Sequence, residues 1–280
     1  MLEELHNLIG KEFIPIKGGF IRLIDYMGND ASIAASARVS YAAGTKRMRS
    51  DRGLLRYLMR HQHTSPFEFA EIIFHIRAPI FIARQWHRHR TANINEISGR
   101  YSILNLGYFL PEELNVQSDV RKQGRNTEPI KNHENNLILL KETSEESFAC
   151  YEQLIEAQTA REIARIILPM NTFTEWRWKI DLHNLLRFLR LRLHYSAQTE
   201  IIRYAEIIEK IVKIWVPESY EAFSDYQLNA LTLSSQAILS IQKLLKGQEV
   251  TYEDSKMSQN EWNEFVDQMF EKFQITLTPQ

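Results

Sequence analysis

The sequence predicts an α+β fold, a helix-rich single domain with a small, mostly antiparallel sheet. Three observations carry that reading. Glycine and proline together number only 18 of 280 residues (10 and 8), too few for a turn-dense all-β chain. Apolar residues recur at helical spacing through several long stretches, for example Leu54, Leu55, Leu58 and Met59. Only three short segments, residues 20–26, 70–76 and 172–179, have the alternation or the aromatic content of strands.

Taken in order, Gly18-Gly19 opens the first strand, and Gly28-Asn29-Asp30 turns into a short helix near Ala31. The Leu54–Met59 stripe belongs to a helix ending near His61. Ser65-Pro66-Phe67-Glu68 has the form of a capping box and reads as a short capped turn feeding a strand. In that strand Ile72, Phe74 and Ile76 alternate with Glu71, Ile73 and His75. Pro79 restarts the chain as a helix, IFIARQWHRHR, followed by a loop, TANINEISGRY. Residues 106–136 have no clear period and read as a surface insertion. Thr159-Ala160-Arg161-Glu162 is a second capping box, and its helix must stop by Pro169. The Phe173, Trp176, Trp178 segment is a strand, and Asp181 caps a helix with Leu182, Leu185, Leu186 and Leu189 on one face. Ser196 precedes a longer helix carrying Ile201, Ala205, Ile208, Val212 and Trp215. Two further helical patterns close the chain, residues 233–246 and, after the Ser258-to-Glu261 box, 261–273.

Composition narrows the function classes. Hydrophobic residues at 44% and charged residues at 25% are globular proportions and argue against disorder. A formal net charge of −1 opposes a generally nucleic-acid-coating surface but allows a local basic patch. No apolar run approaches the roughly 20 residues that span a bilayer, and the acidic N-terminus is no signal peptide. A cytoplasmic protein with no membrane partner is expected. The lone Cys150 excludes an internal disulfide framework. Its neighbours Phe148, Tyr151 and Ile155 sit at helical spacing, so a packed core thiol is expected.

The chemistry concentrates in residues 84–100, RQWHRHRTANINEISGR, where Arg84, Arg88, Arg90 and Arg100 accompany His87 and His89 with one acid, Glu96. On a helix Arg84 and Arg88 would be i, i+4 neighbours of like charge, a local cost that a bound anion would offset. Guanidinium forks suit phosphate. A solvated basic face is the alternative at this point. The histidine pairs His61/His63 and His87/His89 do not share helix faces, and no HExxH is present, so no metal is expected. Rossmann, P-loop and G-x-S-x-G signatures are absent.

The order of residues takes the reading further. Arg88-His89-Arg90, seven residues, then Ser98, together with Asn95-Glu96-x-Ser98-Gly99-Arg100-Tyr101, resembles the flavin-dependent thymidylate synthases. The likeness continues in Ala37-Arg38-Val39-Ser40, in His61-x-His63-x-Ser65-Pro66-Phe67-Glu68, in Ala164-Arg165-x-x-Leu168-Pro169-x-Asn171, and in Leu191-Arg192 with Ala197-Gln198. It spans roughly residues 17–220.

The resemblance implies reductive methylation of dUMP to dTMP, with 5,10-methylenetetrahydrofolate as carbon donor and NADPH-reduced FAD as hydride donor. It implies no cysteine nucleophile and a homotetramer with active sites at subunit interfaces, while the near-zero net charge and the absence of an RRM, KH or OB pattern weigh against a nucleic-acid partner. By matched position, Gln85, Arg88, Glu96, Ser98, Gly99, Arg100, Arg165 and Arg192 would contact dUMP. Ser40, His63, Ser65, Glu68, Arg88, His89, Arg90, Asn95, Glu96, Asp181, His183, Arg187 and Leu191 would lie along FAD. Arg192 and His63 are the expected catalytic residues. Arg192 would polarise the uracil ring, with a snorkelling surface role as its alternative, and His63 has a helix-terminal cap as its own.

Two departures stand out. Ser196 occupies a position where many relatives carry histidine, with His194 two residues earlier, and Ser65 stands where threonine is usual. The expected organisation is a catalytic domain over residues 1–220 and a helical extension over 221–280, the tail from about Pro217 lying outside the resemblance. The extension's face of Trp262, Phe265, Val266, Met269 and Phe270 would pack on its own subunit or on a partner.

Overall fold

The computed structural model describes residues 2–39, 50–104, 106–118 and 124–277. It comprises two compact units, Met1–Leu228 and Asn229–Gln280.

The first unit begins with α1 (Leu2–His6), β1 (Glu12–Phe13) and β2 (Phe20–Met27). Next come α2 (Asp30–Arg38), α3 (Asp51–Arg60), a 3-10 turn (Ser65–Phe69) and β3 (Glu71–Pro79). Helix α4 (Ile80–Trp86) leads to β4 (Asn93–Glu96), and a small hairpin follows, β5 (Asn115–Gln117) with β6 (Arg125–Pro129). The rest is α5 (His133–Glu156), α6 (Arg161–Ala164), β7 (Phe173–Asp181), α7 (Leu182–Arg192), α8 (Thr199–Trp215) and α9 (Pro217–Phe223). A π-helical turn, Ser224–Leu228, ends it.

Five strands pair in the order β1-β2-β3-β7-β4, all antiparallel. Ile21, Leu23, Ile72, Phe74, Ile76, Trp176, Trp178 and Ile180 alternate onto the buried face, as period-2 geometry requires. The other face carries charge, with Lys179 on Glu71 at 2.8 Å and His75 on Glu175 at 3.0 Å. Burial of each large apolar side chain supplies about 1.5–3 kcal/mol, so the buried face holds the sheet to the helices.

That grip centres on Trp86, the last residue of α4, which is fully buried. It meets Trp176 and Trp178 edge-to-face at 5.4 and 5.1 Å, Phe188 of α7 at 4.7 Å and Tyr204 of α8 at 5.7 Å. The indole nitrogens of Trp86, Trp176 and Trp178 have no hydrogen-bond acceptor, and the edge-to-face contacts set ring edges against neighbouring π faces instead.

Several expected elements form as read. Asp181 caps α7 through Asn184 N at 2.9 Å, Ser258 and Glu261 form a reciprocal capping box, and Ile201, Ala205, Ile208, Val212 and Trp215 are all buried on α8. Others differ. The helix expected through Arg90 ends at Trp86, so Arg84 and Arg88 are not stacked on one helical face. The physical reason is that Trp86 is pinned in the core and the chain must reverse within residues 87–92 to join the sheet. The expected loop at residues 91–101 accordingly contains β4, which owes its extended form to pairing with β7 rather than to its own composition. Neither the Ser65 nor the Thr159 capping box closes. Ser65 already lies inside the 3-10 turn, and the second helix starts after Ala160, one residue late for Thr159. Cys150 is half-buried rather than a core thiol, because α5 buries only Ser144 and Tyr151.

The second unit holds α10 (Ser235–Leu245), α11 (Tyr252–Ser255) and α12 (Gln259–Phe273). Trp262, Phe265, Val266 and Met269 pack within it on Ala237, Val250, Met257 and Leu277, while Phe270 stays 54% exposed.

One packing constraint is sharp enough to test. A Cβ on Gly19 would overlap the Tyr204 hydroxyl and sit 2.8 Å from Ile16 Cγ1 and 3.1 Å from the Arg77 carbonyl. The Tyr204 hydroxyl donates to that same carbonyl at 2.6 Å. Gly19→Ala is expected to destabilise the fold by about 2–3 kcal/mol, more than Tyr204→Phe at about 1 kcal/mol, in urea unfolding.

Candidate active site

Two helix ends converge on one groove. Beyond Trp86 the chain turns, with His89 N donating to the Trp86 carbonyl at 3.0 Å, and presents Arg88, His89 and Arg90. Opposite runs the outer face of α7, where His183, Arg187 and Leu191 recur every four residues, with Arg192 next to Leu191. The result is a cavity of about 450 Å³ lined by Gln85, Arg88, His89, Arg90, Arg187, Leu191 and Arg192, together with Thr91, Ile180 and Asn184. Seven expected site residues therefore meet in one place. Four of the lining residues are arginines and none is a carboxylate.

Arg192 is held in the wall of this groove. Its Nε donates to His89 Nε2 at 3.0 Å and its Nη2 to the Gln85 carbonyl at 3.3 Å. It is thus half-buried and fixed, not a snorkelling surface residue. Of the five guanidinium N–H groups, three remain for a ligand. His89 must accept at Nε2, so its proton sits on Nδ1. Burial, then the Arg192 and Arg187 charges, push the His89 pKa down to about 4, and the ring packs edge-on against Phe188 at 4.9 Å. Burial also lowers the pKa of Arg192. Gln85 reaches Gln198 through its side-chain amide.

The remaining expected residues fall elsewhere in the single chain. His63 and His183 line a small recess with Gln62, Thr64 and Gln227. Ser65 and Glu68 lie exposed on the 3-10 turn. On β4, Asn95 pairs with Arg177, and the Glu96 carboxylate accepts from the buried Thr174 hydroxyl. Ser98, Gly99, Arg100 and Arg165 form a separate cluster. The Ser98 carbonyl accepts from Tyr101 N and Ser102 N, and its hydroxyl accepts from Arg100 N at 3.2 Å. Arg100 pairs with Glu162 at 3.1 Å, so this arginine does have an acid. A Cβ at Gly99 would lie 2.8 Å from Leu104 Cδ1 and 3.0 Å from Arg165 Cδ, so the missing side chain makes room for Arg165. Both Asp181 oxygens are engaged by Asn184, the backbone N at 2.9 Å and the side-chain amide at 2.7 Å. Ser40 lies outside the described residues.

Sequence reasoning passed over Asn184, Thr91, Glu162 and Gln198. For Asn184 a signal existed: it precedes Arg187 by three residues, on the same side of α7. Gln198 stood in the Ala197-Gln198 resemblance block without a role, because only the fold brings it to Gln85.

The His89 shift has a pH consequence. A histidine whose folded pKa lies below its ordinary 6.5 contributes stability that is present above pH 6.5 and is lost as pH falls toward about 4. Urea-unfolding free energies measured from pH 7 to pH 4 are expected to fall more steeply for the wild type than for His89→Gln.

Residues 22–218 match the family model described as thymidylate synthase complementing protein. A flavin-dependent thymidylate synthase of Ehrlichia ruminantium (strain Gardel) is 46% identical over 276 residues, covering 97% of this chain and 93% of the relative. One from Rickettsia prowazekii (strain Madrid E) is 50% identical over 264 residues, covering 89% and 90%. The likeness therefore reaches well into the tail that had been expected to lie outside it. Among solved structures, a UMP/dUMP methylase, PolB from Streptomyces cacaoi, bound with 5-Br dUMP, superposes with a TM-score of 0.67 at 31% identity. That match covers 74% of this chain and 95% of the other. With a match of this extent, and with the arginines of the R-H-R segment and α7 gathered in one groove, the chain belongs to the flavin-dependent thymidylate synthase family.

Proposed function

We infer that the chain methylates dUMP at C5 to give dTMP, with a flavin as the source of the reducing hydride. The observation that carries this is the groove of Arg88, Arg90, Arg187 and Arg192 with no carboxylate in its lining. Such a site is strongly anion-selective, and planar guanidinium groups favour phosphate and pyrophosphate. FAD fits this donor set, and Arg88, His89, Arg90, Arg187 and Leu191, with His183 and His63 of the neighbouring recess, would hold it. When bound, it would supply the hydride. We propose 5,10-methylenetetrahydrofolate as the carbon donor and NADPH as the reductant, as in the family.

The residues matched to dUMP divide between the groove (Gln85, Arg88, Arg192) and the Ser98, Gly99, Arg100, Arg165 cluster. This division supports a site completed by a second copy of the chain, and a homotetramer, as the family resemblance implies, is proposed. Ser98, Gly99 and Arg165, with Arg100 once Glu162 is displaced, would hold the phosphate, and Glu96 the nucleoside. Arg192 would act on the uracil ring. As C5 becomes nucleophilic, negative charge grows on the ring oxygens, and the three remaining N–H groups of Arg192 can stabilise it. A neutral His89 serves this role better than a charged one, because it orients Arg192 without repelling it.

Purified protein is expected to be yellow and to release tritium from 5-tritiated dUMP when methylenetetrahydrofolate and NADPH are supplied. Folded, flavin-loaded protein that makes no dTMP would exclude the activity. Arg192→Ala is expected to lower kcat about 10²–10³-fold while flavin stays bound. Loss of flavin with turnover restored by added FAD would instead assign Arg192 to the cofactor.

A further inference from the structure

We propose that the segment Pro217–Leu228 is a clamp that fixes His63 for flavin binding, with Gln227 and Arg56 as positioning residues. The proposal rests on the reading that His63 lies beside the flavin. The family model ends at residue 218, so it covers almost none of this segment.

The geometry begins on α3. Arg52, Arg56 and Met59 stand at i, i+4 and i+7, one face of that helix, and all three are held by the clamp. Arg52 Nε donates to Glu221 Oε2 at 2.8 Å. Arg56 donates to Glu221 at 3.1 Å, to the Tyr226 hydroxyl at 3.1 Å and to Asp225, and its guanidinium lies 4.9 Å over the Tyr226 ring. The Gln227 amide donates to Met59 Sδ at 2.9 Å. Three successive residues, Asp225, Tyr226 and Gln227, thus reach one partner helix, and they do so from a π-helical turn. Such turns are rare and are often found at functional sites.

The clamp is itself anchored. Helix α9 begins at Pro217 with Val216 in the cap position, which has no side-chain oxygen to cap with. Asp30 of α2 supplies the cap instead, accepting from Glu218 N at 2.8 Å, Ser219 N at 2.9 Å and the Ser219 hydroxyl at 2.6 Å.

What the clamp holds is the approach to His63. After α3 the chain reverses through Gln62, whose φ of 57° lies in the left-handed region that non-glycine residues avoid. His63 N then donates to the Leu58 carbonyl at 2.9 Å, tying its backbone to the last turn of α3. A shift of α3 therefore carries His63 with it. Gln227 also lines the recess between His63 and His183, so it bears on the same pair from the side.

A double-mutant cycle on the full chain tests the proposal. FAD affinity of flavin-stripped protein is read by flavin fluorescence, together with the visible spectrum and the Tm. Gln227→Ala and Asp225→Asn are each expected to weaken FAD binding about fivefold in the wild-type background and to have no effect in a His63→Ala background. Arg56→Lys should behave like Asp225→Asn, because an ammonium cannot reproduce the fork on Glu221, Asp225 and Tyr226. Equal losses in both backgrounds, or a lower Tm with unchanged FAD affinity, would show a purely structural contact and overturn the proposal. A His63→Ala protein with wild-type FAD affinity and spectrum would overturn the flavin-side placement of His63 itself, and the clamp's role with it.

Discussion

Burial of Trp86 is the constraint on which the rest of the site depends. Its ring joins four elements at once, α4, β7, α7 and α8, and it has no exposed surface. Because the ring is fixed, the chain that leaves it emerges at one place and in one direction. Arg88, His89 and Arg90 are thereby delivered opposite the arginines of α7. Phe188, which packs on Trp86, also packs on His89, so the core and the site share one side chain. A site of flexible arginines is positioned by a rigid aromatic core beneath it.

Electrostatics opposes this arrangement in the absence of ligand. Four arginines in one groove repel, and burial, then the Arg192 and Arg187 charges, keep the His89 ring neutral so that it adds no fifth charge. The neutral ring then does what a charged one cannot, accepting from Arg192 Nε while leaving most of the guanidinium edge available. An anionic ligand would relieve that repulsion, so the cost of assembling the groove would also favour anions over other ligands.

The strand β4 explains why residues close in sequence part in space. Arg88 and Ser98 are ten positions apart, but between them lies a turn and a four-residue strand that alone advances about 13 Å along the sheet edge. Asn95 stands opposite Arg177, while Glu96 bonds to the buried Thr174. A motif continuous in the sequence thus faces more than one direction in a single chain. The resemblance motif marks membership of the family more directly than it marks one pocket.

Much was legible beforehand, and the reasons differ by element. Period-2 burial at Ile72, Phe74 and Ile76, the Asp181 and Ser258 caps, and the apolar stripe of α8 are local consequences of side-chain spacing, and each stands in the fold as read. Where the outcome was set by distant partners, local reading failed: the early end of α4, the strand in the Asn-rich segment, and the two capping boxes that never close. The single cysteine shows the same limit, because its burial depends on what packs against α5 and not on its own helical neighbours. By itself the sequence determined the fold class, the family and the residue types of the site, since these follow from spacing and order. Only the tertiary structure decided that Arg192 rests on His89, that Gly99 makes room for Arg165, and that residues beyond 217 grip the helix leading to His63. Contacts of that kind join positions 66 to 170 residues apart, and no local pattern in the chain encodes them.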